Sequence, residues 1–512
     1  MPAIVALLFI SLFTFPLSAA TDSPALICDR WLDSRANGQA WAAAPDDDGS
    51  VFWTGQEAGA MDADIFLCHT SATGETIRCV TWGASGKTEK GFAIKLDGDR
   101  VYVAGVSQTN FILDDADMVL IAFRKDDLHE IWSRFWSGSG GYNEADGLEI
   151  DGSYIYLSGW TGGRLPLGTG ADVGLVCYRN DGELQWGRAW GSDGWDQADG
   201  AMAIVDGRIY IAGRWNAPNY YWGGDALLAW FDQDTGEHMG HTTWGGSGFD
   251  DAYTLAYADQ ALYLAGPTGS YGEGGQLFLL KFTTDGDLIW ETLWGGPAAE
   301  HGRTIITGPG YGELCLLAST ESYGNGLFDI ALIRYQDNGA DCAFRDLRVW
   351  GGAGQDGAEG AARSGDLLFI AASHTPSGAS NTNAVLLATT LTGECYGQNL
   401  RINQPSFRAN ERFLLSISMW NFTASPLAAE LAVVLDVYGE YWFYPSWGQA
   451  LDTQSVFLHP GAVDPDRSLL DFTWPGAGNG QLSPPVFFYS GLLDPERNSL
   501  LTNYDQATFQ FE

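Results

Sequence analysis

The sequence predicts an all-β chain built of seven like units followed by a smaller β module. Two in-phase repeats and one compositional bias carry that expectation. Tryptophan followed by small residues recurs at Trp82, Trp136, Trp190, Trp244, Trp294 and Trp350, at spacings of 54, 54, 54, 50 and 56 residues. Trp31 lies 51 residues before Trp82 and reads as a degenerate further copy. In phase with these, short apolar runs end in a small residue at 51–55, 101–105, 155–159, 209–213, 262–266, 314–318 and 368–372. The chain also holds 66 Gly, 21 Trp and 21 Tyr in 512 residues, the balance of many short strands and tight turns.

Each unit offers four strands. Around Gly266 these are 253–257, 262–266, 276–282 and 288–294, the last two joined at Asp285-Gly286, a hairpin signal. The third strands are apolar nearly throughout, as in Leu277-Phe278-Leu279-Leu280, which implies burial on both faces. Four-stranded units at a fixed period of about 50 residues, covered on both faces, describe propeller blades better than the shorter coils of a β-solenoid. The expected fold is therefore a seven-bladed β-propeller followed by a small antiparallel β-sandwich. The Trp-Gly elements read as structure: Trp fills the gap between blades and Gly permits the sharp passage to the next one.

These residues carry a resemblance. The stretch from Asp225 to Trp230 with its hairpin, then Thr243-Trp244-Gly245-Gly246, then Tyr263-Leu264-Ala265-Gly266, resembles the SBBP-type β-propeller repeat of bacterial secreted and surface proteins. The resemblance covers roughly residues 26–400 and implies a fold without implying an activity. Ala318 and Ala372 depart from it where other units have Gly, and the last unit lacks the Trp motif. Ring closure is thus open between two candidates, residues 394–400 and residues 25–31.

The boundaries expected are 1–20 for a signal peptide, 21–400 for the propeller and 401–512 for the sandwich. Residues 5–15 form an apolar run and Ser18-Ala19-Ala20 fits a cleavage site, although no Lys or Arg precedes the run, and an uncleaved anchor is the alternative. No later stretch is long and apolar enough to span a membrane. In the C-terminal module Phe413, Leu415, Ile417 and Met419 alternate, as do Leu431, Val433, Leu435 and Val437, the pattern of half-buried strands. Residues 438–445 read as an aromatic hairpin whose rings pack into the core, with a ligand platform the alternative.

The formal charge of −38 excludes nucleic acid and anionic lipid as natural partners. It suits a secreted or extracytoplasmic protein. The seven cysteines are then permitted to pair, with Cys68–Cys79 and Cys28–Cys395 the expected partners.

Candidate functional residues lie in the loops between units and between second and third strands. Asp196, Asp250, Glu300 and Asp356 each follow their Trp by six residues, and Glu89 and Asn143 theirs by seven. They are candidates for an acidic ring holding Ca²⁺, with capping of their own turns the more economical reading. Trp160, Trp215, Tyr221, Trp222, Tyr271 and Tyr323 are candidates for a platform gripping a glycan or a cell-surface protein, with loop packing the alternative. His238 and His241, three apart on an expected strand, should face opposite ways. The chain shows no nucleophile elbow, phosphate loop or paired Cys-x-x-Cys zinc motif. The functional expectation is a binding or adhesion protein without enzymatic activity. A polysaccharide hydrolase or lyase using the acidic funnel, and an architectural surface protein, are the alternatives.

Overall fold

The computed structural model describes residues 30–511, apart from short loop positions and the longer segments 59–62, 110–114, 164–169, 219–222, 376–380, 391–395, 403–405, 408–411, 422–426, 459–461, 474–485 and 494–504. Every regular element among the described residues is a β-strand. The expected signal segment and Cys28 and Cys395 lie outside the described residues. No helix among the described residues is long and apolar enough to cross a membrane. The chain divides into two compact units, one formed by Trp31–Arg363 with Leu368–Ala388 and one that takes in Thr389–Glu512.

The larger unit consists of antiparallel four-stranded meanders. They occupy 38–82, 87–136, 142–190, 195–244, 254–294, 300–350 and 355–390. All seven apolar runs singled out in the sequence fall on the second strands, from Val51–Ala58 to Leu367–Thr375. Single parallel pairings, Ala63 with Thr88 and Ala116 with Tyr142, join the first three meanders into one continuous sheet. The seventh meander has three strands of its own, and its fourth is Arg30–Arg35, which pairs with Asn383–Thr390. Residues 396–402, the other candidate for that place, pair instead with Arg412–Asn421 in the C-terminal module.

Two recurrent devices bind one meander to the next. The aromatic at the second position of the second strands is mostly Tyr, and its hydroxyl meets the third-to-fourth strand hairpin of the following meander. Tyr210 donates to Thr284 O at 2.8 Å and Tyr263 to Asp337 Oδ2 at 2.7 Å, while Tyr156 receives a bond from Gln233 Nε2 at 3.2 Å. A buried Tyr needs such a partner for its hydroxyl, so the repeat at this position encodes docking as well as burial. The second device is aromatic. Trp244 packs on Phe278 of the next meander, with ring centroids 4.8 Å apart. A Cβ at Gly187 would lie 2.4 Å from Trp136 Nε1, so only Gly lets the third meander approach the tryptophan of the second.

The Cys68–Cys79 disulfide joins directly opposed residues of neighbouring strands, and Cys177, Cys315 and Cys342 are free thiols. One expectation is overturned. The pairing of Asp225–Asp232 with His238–Trp244 matches Phe231 with His238 but Trp230 with Gly240, so Met239 is an inserted residue. The bulge shifts the alternation by one, and the His238 and His241 rings stand 5.3 Å apart on the same side instead of facing opposite ways.

The C-terminal unit is built of two sheets. One is Tyr396–Ile402, Arg412–Asn421 and Ala462–Thr473; the other orders Ser406–Phe407, Asp505–Phe511, Val486–Leu493, Leu427–Val437 and Glu440–Phe443, with Gln454–Leu458 also on Leu427–Val437. Phe413, Leu415, Ile417 and Met419 meet Leu431 and Val433 in one core, as the alternation predicts. Tyr444 and Trp447, beside the aromatic hairpin, pack against that core.

Candidate functional site: a ring of bulge residues

The first strands of the seven meanders surround a cavity of about 560 Å³. Four of these strands carry a one-residue insertion near their start. The pairing jumps from Ala40 to Ala42, Gly91 to Ala93, Ala145 to Gly147 and Gly302 to Thr304, leaving Trp41, Phe92, Asp146 and Arg303 out of the ladder. A wider irregularity between Ala198 and Met202 does the same for Asp199. A bulge residue is freed from pairing and re-aimed, which is why bulges recur beside functional sites. Tyr253 and Glu359 hold the same place in their repeats, three residues after Asp250 and Asp356. Each meander thus contributes one residue to a ring: Trp41, Phe92, Asp146, Asp199, Tyr253, Arg303 and Glu359. All seven are half-buried, and six of them line the cavity wall directly.

The ring has an aromatic sector and a charged sector. The Trp41 and Phe92 rings lie 4.8 Å apart. Arg303 sits 5.5 Å over the Tyr253 ring and 3.5 Å from Glu359 Oε2. Two residues earlier in each repeat comes a second set: Lys90, Glu144, Gln197 and Asp251. Tyr142 donates to Glu144 at 2.6 Å. Gln197 Nε2 donates to both oxygens of Asp199 at 2.7 Å, while its own Oε1 accepts from Trp195 Nε1 at 2.7 Å and Arg214 at 3.1 Å. The fully buried Arg214 lies 3.8 Å from Asp251 and 5.1 Å over Phe249.

This arrangement sets the protonation of the acids. Burial pushes Asp146 well above the usual carboxylate range, and the neighbouring Glu144 and Asp199 push the same way. Asp251 is likewise held well up by burial and then by Asp199. Glu144 and Asp199 are raised by burial, against the pull of Lys90 and Arg214 respectively. Glu359 is raised by burial despite Arg303. No protein donor reaches Asp146 Oδ2 or Asp251 Oδ1. Asp146 with Glu144, and Asp251 with Asp199, form two neighbouring acid pairs in which burial raises every carboxyl. A carboxylic acid beside a carboxylate is able to give a proton on one side and take one on the other.

The residues singled out in the sequence sit elsewhere. Asp196 accepts from Ser192 Oγ at 2.8 Å and Asn216 N at 2.6 Å, Asp250 from Gly246 N at 3.0 Å, and Glu300 from Gly296 N at 3.1 Å. Asp356 pairs with His374 Nδ1. Each acid is buried and committed to its own turn or neighbouring strand. Among the described residues no group of three or more His, Cys, Asp or Glu is placed to hold a metal ion.

Of the loop aromatics, Trp160 is only 5% exposed, stacked 4.7 Å from Tyr142 and 5.2 Å from Trp195, so it offers no free ring face. Trp215 is half-buried and stacks on Trp190 at 4.6 Å. Tyr271 packs on Trp244 and donates to Gly245 O at 2.7 Å, and Tyr323 packs on Trp294; both remain 39% exposed. Tyr221 and Trp222 lie outside the described residues. Sequence reasoning stopped at the turn-capping acids and missed the ring three residues further on, although the same repeat phase marks it.

No family model matches this chain. No curated protein matches it either. Among solved structures it is similar to one titled "Crystal structure of polysaccharide lyase Uly1", with 10% identity, coverage of 69% of this chain and 90% of that one, and a TM-score of 0.45. That likeness is too distant to bear on activity.

Proposed function

We propose that residues 30–390 form a seven-bladed β-propeller of the SBBP repeat type, and that the protein is a secreted or cell-surface carbohydrate-binding protein whose ligand enters the cavity between the first strands. The propeller reading is supported by the meanders on either side of the seam. A Cβ at Gly360, in the seventh first strand, would lie 2.2 Å from the carbonyl oxygen of Trp41 in the first. The donated strand Arg30–Arg35 adds to that support.

The observation that carries the binding reading is the ring, five of whose residues the strand pairing leaves out. Sugars present apolar ring faces and a rim of hydroxyls, and a site for them combines aromatic plates with charged acceptors and donors. Trp41 and Phe92 supply plates, Asp146, Asp199 and Glu359 accept, and Arg303 donates. Its Nε finds no acceptor within the protein. The more exposed Tyr271 and Tyr323 offer secondary contacts on the loops.

The test is retention of purified protein on an array of neutral, anionic and amine-bearing oligosaccharides, with Trp41→Ala alongside. Loss of about one to three kcal/mol of affinity in the variant is the expected result for a stacking plate. Retention unaffected by Trp41→Ala overturns the site.

A second reading, an extracytoplasmic polysaccharide hydrolase or lyase, rests on Asp146 beside Glu144, two acids that burial raises toward the range suited to proton transfer. Appearance of shorter sugars during the same incubation distinguishes it from binding.

A further inference from the structure

The charge balance around the ring points to a more specific ligand. Five carboxyl groups, Glu144, Asp146, Asp199, Asp251 and Glu359, meet three cationic side chains, Lys90, Arg214 and Arg303, each within electrostatic range of one or more of these acids. His301, beside Arg303, adds nothing to the cationic side: burial first, and then Arg303, lowers it to about 4. The acids outnumber the bases.

We propose that this cavity takes an amino sugar chain, a hexosamine oligomer with free amines, whose ammonium groups meet the carboxyls Asp146 and Glu359 on its wall; this rests on the carbohydrate-binding reading above. Three features select that chemistry. Asp146, on the cavity wall, has an oxygen that no protein donor reaches. Such an oxygen calls for a donor, and an ammonium brings three of them with the compensating charge. The faces of Trp41 and Phe92 suit a sugar ring and favour a nearby cation as well. Arg303 Nε, also on the wall, needs an acceptor, which a sugar hydroxyl or ring oxygen provides and a plain polyamine does not. The net charge of −38 draws a polycation toward the protein and disfavours uronate chains.

The exchange balances as follows. Asp146 releases a proton to solvent, and the ammonium, which carries its own charge, forms hydrogen bonds to the resulting carboxylate. No covalent bond forms or breaks.

The experiment is calorimetric titration of the full chain with a β-1,4-linked glucosamine tetramer at pH 6.5, in two buffers of different ionisation enthalpy. The N-acetylated tetramer, a neutral glucose tetramer and tetralysine serve as comparisons. Binding of the glucosamine tetramer with release of roughly one proton, from Asp146, is expected. The acetylated and neutral tetramers should bind at least about ten-fold more weakly, the equivalent of one pKa unit of interaction. Asp146→Asn should reduce the proton release, and its melting temperature, checked separately, shows that it folds. If the neutral tetramer binds as tightly and without proton release, the amino-sugar inference falls while the carbohydrate reading stands. If tetralysine matches the glucosamine tetramer, the ligand is a basic peptide and the inference falls. If none of the sugars binds, both fall.

Discussion

The contact between the fifth and sixth meanders offers the sharpest test of how the repeat is held together. Lys281, 5% exposed, places its ammonium on Asp337, 2% exposed. The same carboxylate accepts from Tyr263 Oη at 2.7 Å, Gly339 N at 2.8 Å and Trp290 Nε1 at 3.1 Å. Replacing Lys281 by Met keeps the bulk and removes the charge. Breaking a buried pair from one side costs about 3–5 kcal/mol, because the other charge stays buried. Three donors remain on Asp337, so the loss belongs at the lower end, about 3 kcal/mol. Burial alone would raise the Asp337 pKa, but Lys281 first, then Tyr263, Gly339 and Trp290, hold it below the usual value. A depressed carboxylate stabilises the fold above its unfolded pKa, about 3.9, and that contribution is lost as pH falls through the folded value. The variant should therefore show a lower urea midpoint at pH 7 and a shallower loss of stability below about pH 4 than the parent. Tyr263→Phe, which removes one neutral donor, should cost only about 1 kcal/mol. A Lys281→Met loss below about 1 kcal/mol, with an unchanged acid limb, would refute the reasoning.

Two further outcomes follow from the cavity and the seams. Asp146 and Asp251 have folded pKa values raised above their unfolded ones, so they stabilise fully at low pH and lose that contribution as pH rises through the folded values, at about 1.4 kcal/mol per pH unit for each group within the gap. Thermal melts between pH 5 and 8 should show the parent weakening toward pH 8 and Asp251→Asn showing a shallower slope; parallel slopes would contradict a raised Asp251. Gly187→Ala should destabilise by about 1–3 kcal/mol through overpacking on Trp136 and perturb tryptophan emission, whereas an unchanged midpoint would show that the seam yields.

The strands were legible because burial on both faces leaves a compositional trace. Leu277 to Leu280 and the seven second strands are apolar in runs that only a covered strand tolerates, and the Tyr at their second position marks a docking bond. The turn-capping role of Asp196, Asp250 and Glu300 was legible too, since a carboxylate six residues after a Trp-Gly turn has backbone N–H groups nearby. Bulges leave no such trace. Nothing in the composition around Asp146 or Arg303 announces that one residue has no partner across the ladder, and the same blindness separated His238 from His241 on paper. Trp160 misled for a different reason. A large aromatic after a strand end looks like a loop platform, but the strand continues through it to Gly163 and buries the ring on Tyr142.

The strand Arg30–Arg35 has a consequence for the order of events during synthesis. It leaves the ribosome about 350 residues ahead of its partner Asn383–Thr390. At roughly 5–20 residues per second, that strand waits tens of seconds with an unsatisfied edge. The early meanders can form locally, while the last seam must wait for both ends. Deleting residues 30–35 should therefore leave most of the strands intact and produce a protein that associates through the open edge of its last sheet.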